Sequence, residues 1–277
     1  MEHNSQLLVN AQGESLTVDQ AIANLRQTAD GGLRYYAAWW LGRFRVVEPE
    51  ALQALVAALE DENDRAPDGG YPLRRNAARA LGKLGDRTVV PALLPCLDCD
   101  DYYVREAAAQ ALGALGDGRA VSALRSLLAG GLAAATAVPG KPHLVQPYNA
   151  VLEALGNLGA SDAISDITPF LEHGVAQVQN AAARALYQLT GETVYCDRLV
   201  DRLKEPNLQL RRSAMMDLGA IGYLPAAEAI AATLAENSLK LIALQGVLES
   251  HLQRSEFPNA GLTPEARQVL GLMDELL

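Results

Sequence analysis

One short block recurs along this chain and limits what it can become. Residues 73–86 read Leu-Arg-Arg-Asn-Ala-Ala-Arg-Ala-Leu-Gly-Lys-Leu-Gly-Asp, and residues 104–117 read Val-Arg-Glu-Ala-Ala-Ala-Gln-Ala-Leu-Gly-Ala-Leu-Gly-Asp. Weaker copies lie at 147–159, 178–189, 210–221 and 240–248, and an aromatic version lies at 33–44. Anchoring each copy on one leucine gives Leu41, Leu81, Leu112, Leu155, Leu186, Leu218 and Leu248, at intervals of 40, 31, 43, 31, 32 and 30 residues. A base period near 31, twice lengthened by inserted loops, is the signature of a helical-pair solenoid.

The block explains itself. Val104, Ala107, Ala108, Ala111, Leu112 and Leu115 follow helical spacing and form one buried stripe. The alanines let helices approach closely. Gly85 and Gly116 end their helices where a left-handed residue costs little, and Asp86 and Asp117 are placed to cap the next helix. Ala and Leu dominate and only 5% of the residues are aromatic, which favours helix over sheet. The pattern resembles the HEAT-like repeat. That resemblance implies an all-α, curved solenoid whose repeated helix lines a concave face.

Residues 1–15 read as a flexible tail, 16–254 as the solenoid, and 255–277 as a C-terminal helix packed on the solenoid or on a partner. Thr17 and Gln20 have the spacing of a capping box. Residues 130–146 form the larger insert, rich in Gly, Ala and Pro. After a break at Pro258 and Gly261 a last helix opens at Pro264. The net charge of −10 excludes non-specific nucleic-acid binding as a default. No stretch is apolar enough to span a membrane, and the first residues lack a signal peptide's pattern. Three cysteines give no disulfide framework. Together these place the protein in the cytoplasm.

Two slots of each repeat escape the buried stripe, six and two residues before the anchor, and share one helix face. In order they hold Tyr35/Trp39, Arg75/Arg79, Glu106/Gln110, Asn149/Glu153, Asn180/Arg184, Arg212/Met216 and Ile242/Gly246. One slot earlier lie Arg34, Arg74, Arg105, Tyr148, Gln179, Arg211 and Leu241. Taken singly, Arg34, Arg74, Arg105 and Arg211 have the placement of structural arginines at a helix start. Arg75/Arg79 and Arg184/Arg212 are less well explained in that way. Tyr36 and Trp40 align with Ala107 and Ala111 and are expected half-buried, capping the end of the core. Tyr35 and Trp39 align with Glu106 and Gln110 and are expected exposed. Exposed aromatics beside arginines fit a flat ligand that carries carboxylates.

The segment Tyr35-Tyr-Ala-Ala-Trp-Trp-Leu41, the Gly-Arg-Phe after it and the succession of repeats resemble the alpha subunits of the heterodimeric E/F-type phycobilin lyases of cyanobacteria, over essentially the whole chain. The resemblance implies that the chain works with a homologous second subunit as a phycocyanobilin lyase. Such an enzyme attaches an open-chain tetrapyrrole, by thioether addition, to a cysteine of the phycocyanin alpha chain. Phycocyanobilin is then a substrate, and no permanent cofactor or metal is expected. The bilin is expected against Tyr35, Trp39, Tyr36, Trp40, Tyr102 and Tyr148, with its propionates near Arg34, Arg75, Arg79, Arg184 and Arg212. Glu106, Asp101 and His143 are the candidates for proton transfer.

Cys96 and Cys99 have metal-ligand spacing, but Cys196 and His143 are far away in sequence, so the pair reads as packed or partly exposed thiols. The His-Glu pairs by which HEAT-like deoxyhypusine hydroxylases bind iron are absent. Two rivals stay open: a subunit of an isomerising bilin lyase, and a non-catalytic HEAT-like scaffold that binds protein on its concave face.

Overall fold

The computed structural model describes residues 16–254 and 262–277. The expected tail over 1–15 and the expected break at Pro258 and Gly261 lie outside the described residues. Apart from an isolated antiparallel bridge of Ala137 with Leu144, the regular secondary structure of the described residues is helical. The chain groups into two compact units. One runs to Leu127 and includes Ala135–Ala154; the other holds Leu128–Ala134 and Leu155–Leu277.

The first unit contains α1 (Val18–Arg26), α2 (Gly31–Arg43), α3 (Pro49–Ala58), α4 (Pro72–Leu84), α5 (Val90–Leu93), α6 (Tyr102–Leu115) and α7 (Val121–Ser126). α8 (Gly131–Ala134) belongs to the second unit. α9 (Tyr148–Asn157) gives its residues up to Ala154 to the first unit and the rest to the second. The second unit continues with α10 (Ile164–Ile167), α11 (Ala176–Thr190), α12 (Thr193–Arg202), α13 (Leu208–Ile221), α14 (Ala227–Ala232), α15 (Asn237–Arg254) and α16 (Pro264–Asp274).

Local chemistry sets the boundaries. The Thr17–Gln20 capping box closes in both directions. Gly85, Gly116, Gly191 and Gly222 end α4, α6, α11 and α13 in the left-handed region. Asp86 and Asp117 accept from Thr88 N and Arg119 N. The second helix of a repeat is short where proline interrupts it. α5 passes into a 3-10 turn, Leu94–Asp98, at Pro95, and α10 passes into Thr168–Glu172 at Pro169.

Most of the repeated helices approach through a glycine that follows the anchor. A Cβ added at Gly42 would lie 2.7 Å from Ala80 Cα, one at Gly82 2.7 Å from Ala111 Cα, and one at Gly113 2.7 Å from Ala154 Cα. In the second unit Gly156 meets Ala185 and Gly219 meets Ala243 in the same way. In each case the glycine follows one anchor and the alanine precedes the next. This register corrects the last repeat: its anchor is Leu244, after Ala243, one turn before Leu248. Leu244 is fully buried, whereas Leu248 is only partly buried.

Gly82→Ala is expected to cost about 1–3 kcal/mol, because two backbones must separate and overpacking outweighs the propensity gain. Gly271→Ala in α16 has nothing within 4 Å of the added carbon and is expected to gain about 0.5–1 kcal/mol. Urea denaturation of both variants checks this; shifts of the same sign would refute the packing account.

α16 opens at Pro264 under a Thr263 cap and buries Val269 in the core of the second unit. Its end is tied to α15, where Asn237 Nδ2 donates to Leu276 O at 2.8 Å.

Candidate functional site

The aromatic helix α2 presents two kinds of side chain. Tyr35 and Trp39 remain exposed, at 37% and 36%. Trp40 is buried and packs its ring 4.7 Å from Phe44. Tyr36 is half-buried and stacks on Trp39 at 5.5 Å, with its hydroxyl oxygen buried and unbonded. The division expected from alignment with α6 is therefore present: Trp40 closes the core and Trp39 faces outward.

The arginines separate into spent and available charges. Arg34 is buried, with Nη1 2.7 Å from Asp61 Oδ1 and Nε donating to Leu25 O. It holds the helix start to the end of α1 and to the segment after α3, and is withdrawn from the expected propionate set. Arg74, Arg105 and Arg211 do similar work on loop carbonyls. Tyr148 is buried as well and offers no exposed ring. In the second unit, Arg184 is mostly buried, 3.2 Å from Asp217, and Arg212 is ion-paired with Glu236. Neither is a lone cation awaiting a carboxylate.

Arg75 and Arg79 on α4 differ. Arg75 lies 5.6 Å over the Tyr103 ring, and its Nε is buried without a hydrogen-bond partner. Arg79 is 42% exposed in its side chain, and the acid it meets is Glu106 at 3.9 Å. Burial raises Glu106 above the ordinary carboxylate range, and Arg79 and Arg75 only partly oppose this. A carboxyl so placed holds its proton more readily than an exposed one.

The start of α6 and the insert complete the cluster. Asp101 caps α6, with Oδ1 accepting from Tyr103 N at 2.8 Å and Oδ2 from Tyr71 N at 2.7 Å. Both of its oxygens thus serve the backbone. Arg105 fastens the end of the insert, donating from Nε to Gln146 Oε1 at 2.9 Å and from Nη2 to Val145 O at 2.8 Å. The insert in turn stacks His143 on Tyr102, with ring centres 4.2 Å apart. His143 Nδ1 lies 2.9 Å from Leu144 O, so Nδ1 carries a proton and Nε2 faces away from that bond. Burial, Glu106 and Tyr103 push Tyr102 up to about 12, so its hydroxyl keeps its proton.

Within the first unit the structure thus joins Arg75, Arg79, Glu106, Tyr102, Tyr103 and His143, alongside the exposed Tyr35 and Trp39. Tyr102 and Tyr103 both precede the repeat slots of α6 and His143 lies in the insert; the signal of the tyrosines is the Tyr-Tyr pair at the helix start. Asp217 also falls outside those slots, and its signal is an acid in the position that holds alanine in Ala80, Ala111 and Ala185. Cys96 and Cys99 border a groove of about 380 Å³ with Glu60, Glu62 and Arg74. Burial pushes the Cys96 thiol up to about 11 and the Cys196 thiol up to about 12, so neither is a thiolate at neutral pH.

Comparison with known proteins agrees with the repeat. The model of HEAT repeats matches residues 66–134 and 147–219, and that of the PBS lyase HEAT-like repeat matches 33–61. The chain is therefore a HEAT-repeat protein. It is 64% identical over 262 residues to the phycocyanobilin lyase subunit alpha of Synechocystis sp., covering 94% of this chain and 96% of that one. The bilin biosynthesis protein PecE of Nostoc sp. is 43% identical, over 95% of this chain and 96% of its own. Among solved structures, the complex of CpcE and CpcF of phycocyanin lyase from Nostoc sp. contains a chain 60% identical, with a TM-score of 0.87, covering 97% of this chain and 98% of that one. The chain belongs to the family of phycocyanobilin lyase alpha subunits.

Proposed function

We propose that this chain is one subunit of a heterodimeric phycocyanobilin lyase. With a homologous second subunit it attaches the bilin by a thioether bond to a cysteine of the phycocyanin alpha chain, holding the pigment on the concave face of its repeats. The observation that carries this reading is the concentration, in one unit, of exposed Tyr35 and Trp39, an Arg75 whose Nε is unbonded, an exposed Arg79 whose acid is Glu106 at 3.9 Å, and a desolvated Glu106. A bilin is flat and conjugated and carries two propionates and a row of pyrrole nitrogens. The aromatics stack on its face, the arginines take the propionates, and Glu106 faces the nitrogens.

The acceptor supplies the nucleophile. Its sulfur bonds to carbon as a double bond of the bilin opens, the thiol gives up its proton, and one proton is returned to the bilin. Atoms and charge balance without an oxidant or reductant. The lyase is left with positioning the two partners and delivering the proton.

Visible absorption of phycocyanobilin titrated with this chain, with and without the second subunit, tests the reading. A red-shifted band is expected, followed by covalent transfer to the acceptor that needs both subunits. Tyr35→Ala and Trp39→Ala are each expected to weaken bilin binding about 10-fold, roughly 1.4 kcal/mol of lost stacking and burial. Unchanged affinity in both variants would remove the aromatic wall from the site. Absence of any spectral change would leave a protein-binding scaffold, and a blue-shifted product would mark an isomerising lyase.

A further inference from the structure

Within the first unit, the helix face that carries Tyr35, Trp39, Arg75, Arg79 and Glu106 is covered at one end and open at the other. Ten residues before the anchors, one turn ahead of the first slot, stand Gly31, Tyr71 and Tyr102. Each meets a residue of an inserted segment. A Cβ at Gly31 would lie 2.9 Å from Asp64 Oδ1, Arg65 lies 3.9 Å over the Tyr71 ring, and His143 stacks on Tyr102 at 4.2 Å. Two residues after the anchors the same face reads Arg43, Lys83 and Ala114, and all three are exposed.

The open end is cationic. The turns beyond it add exposed Arg45, Arg87 and Arg119. Arg119 is spent on Asp117 at 2.6 Å, and Arg87 lends Nε to Leu115 O. Arg43, Arg45 and Lys83 form no ion pair among the described residues. The acids of these turns are Glu48, Asp86 and Asp117, and Asp86 accepts from Thr88 N and Oγ1. Cations thus outnumber acids here, in a chain whose net charge is −10.

Arg45 also stands in a strained place. Four residues past their anchors, Gly85, Gly116, Gly159 and Gly222 adopt the left-handed region. Arg45 holds that position after α2 with φ of 53°, alone among the described non-glycine residues in having positive φ. Its Cβ crowds the following carbonyl there, a cost that glycine avoids. The side chain is exposed, so the fold itself gains little from it. On either side Phe44 and Val47 are exposed at 51% and 58%.

We propose that this open cationic rim docks the acceptor protein, through carboxylates that flank its cysteine. The inference rests on the lyase reading. The sulfur must reach the bilin, so the acceptor has to approach along an open side of the site, and the opposite end is occupied by Asp64, Arg65 and His143. That requirement falls on the acceptor because the acceptor carries the thiol. A positive rim edged by Phe44 and Val47 steers and seats an acidic protein surface.

The test uses the assembled heterodimer, phycocyanobilin and the apo acceptor. Arg45→Glu/Lys83→Glu is expected to raise the KM for acceptor about tenfold and to flatten its salt dependence. Bilin affinity and affinity for the second subunit should change less than about twofold. Arg45→Gly separates docking from strain: it should raise the urea midpoint and still raise the KM for acceptor about threefold. An unchanged KM in the double variant, with bilin binding intact, would overturn the docking surface and leave the lyase reading standing. Weakened binding of the second subunit, with the KM for acceptor unmoved, would assign the rim to that subunit and refute the inference. A wild-type heterodimer that shows no bilin band would defeat both.

Discussion

Arg184→Leu is expected to destabilise the protein by about 3–5 kcal/mol at pH 7.5, the cost of stranding a buried charge. Asp217 sits on α13 in the slot before the anchor, which holds alanine at Ala80, Ala111, Ala154, Ala185 and Ala243. Tyr187 occupies the slot that holds glycine at Gly42, Gly82, Gly113, Gly156 and Gly219. The glycine-on-alanine contact is thus replaced at α11 and α13 by a buried ion pair, 3.2 Å from Arg184 Nη1 to Asp217 Oδ1. Burial raises Asp217 to about 6, while Arg184 and Ser213 hold it down. Its folded value lies above the ordinary unfolded one of about 3.9. Between those two values the folded state binds more protons, so this group lowers stability as pH rises from about 4 to 6, and adds no slope above. Without Arg184 the folded value climbs further, and the variant should go on losing stability towards pH 8. Arg184→Leu/Asp217→Ala removes both charges and should recover most of the loss. Urea midpoints of the wild type, single and double variants at pH 5.5, 7 and 8.5 decide the matter. A single variant as stable as wild type at pH 8.5 would show that the pair contributes nothing.

The repeat frame is legible because its signals are local. A glycine after the anchor, alanine at helical spacing and a capping Asp each act within a few residues, and all recur. The last repeat misleads for the same reason. Residues 243–245 read Ala-Leu-Gln, without the glycine that follows most of the anchors, so the pattern points to Leu248 in place of Leu244. Only the approach of Ala243 to Gly219 fixes the register.

The site is legible where exposure follows helical phase. Tyr35 and Trp39 face out because their slots lie off the buried stripe, and Trp40 is buried because its slot lies on it. The fate of the arginines is not legible, since charge is decided by partners remote in sequence. Arg184 finds Asp217 33 residues on, Arg212 finds Glu236 24 residues on, and Arg34 finds Asp61 27 residues on, beyond α3. Repetition tells where a guanidinium starts, not which acid it meets. Arg75 and Arg79 remain available because the exposed slots of α2 are aromatic and those of α6 offer only Glu106 as an acid.

Glu106→Gln is expected to slow covalent transfer of bilin by about 100-fold while changing bilin affinity less than about threefold, since general acids typically contribute 10²–10⁴. The expectation rests on environment. Glu106 is desolvated, which raises its pKa, and Arg79 at 3.9 Å pulls the other way. A proton donor works in its protonated form, so transfer by the wild type should decline as pH rises through the raised value. In Glu106→Gln that limb should vanish, because glutamine does not titrate. Removing the opposing cation supplies an independent check. Arg79→Ala should move the limb to higher pH, even as loss of a propionate contact weakens binding. Single-turnover rates at saturating bilin, with both subunits present and pH varied, separate these effects from affinity. If Glu106→Gln keeps the wild-type limb, the proton comes from elsewhere. His143, stacked on Tyr102 with Nε2 turned from its backbone bond, is then the next donor to replace.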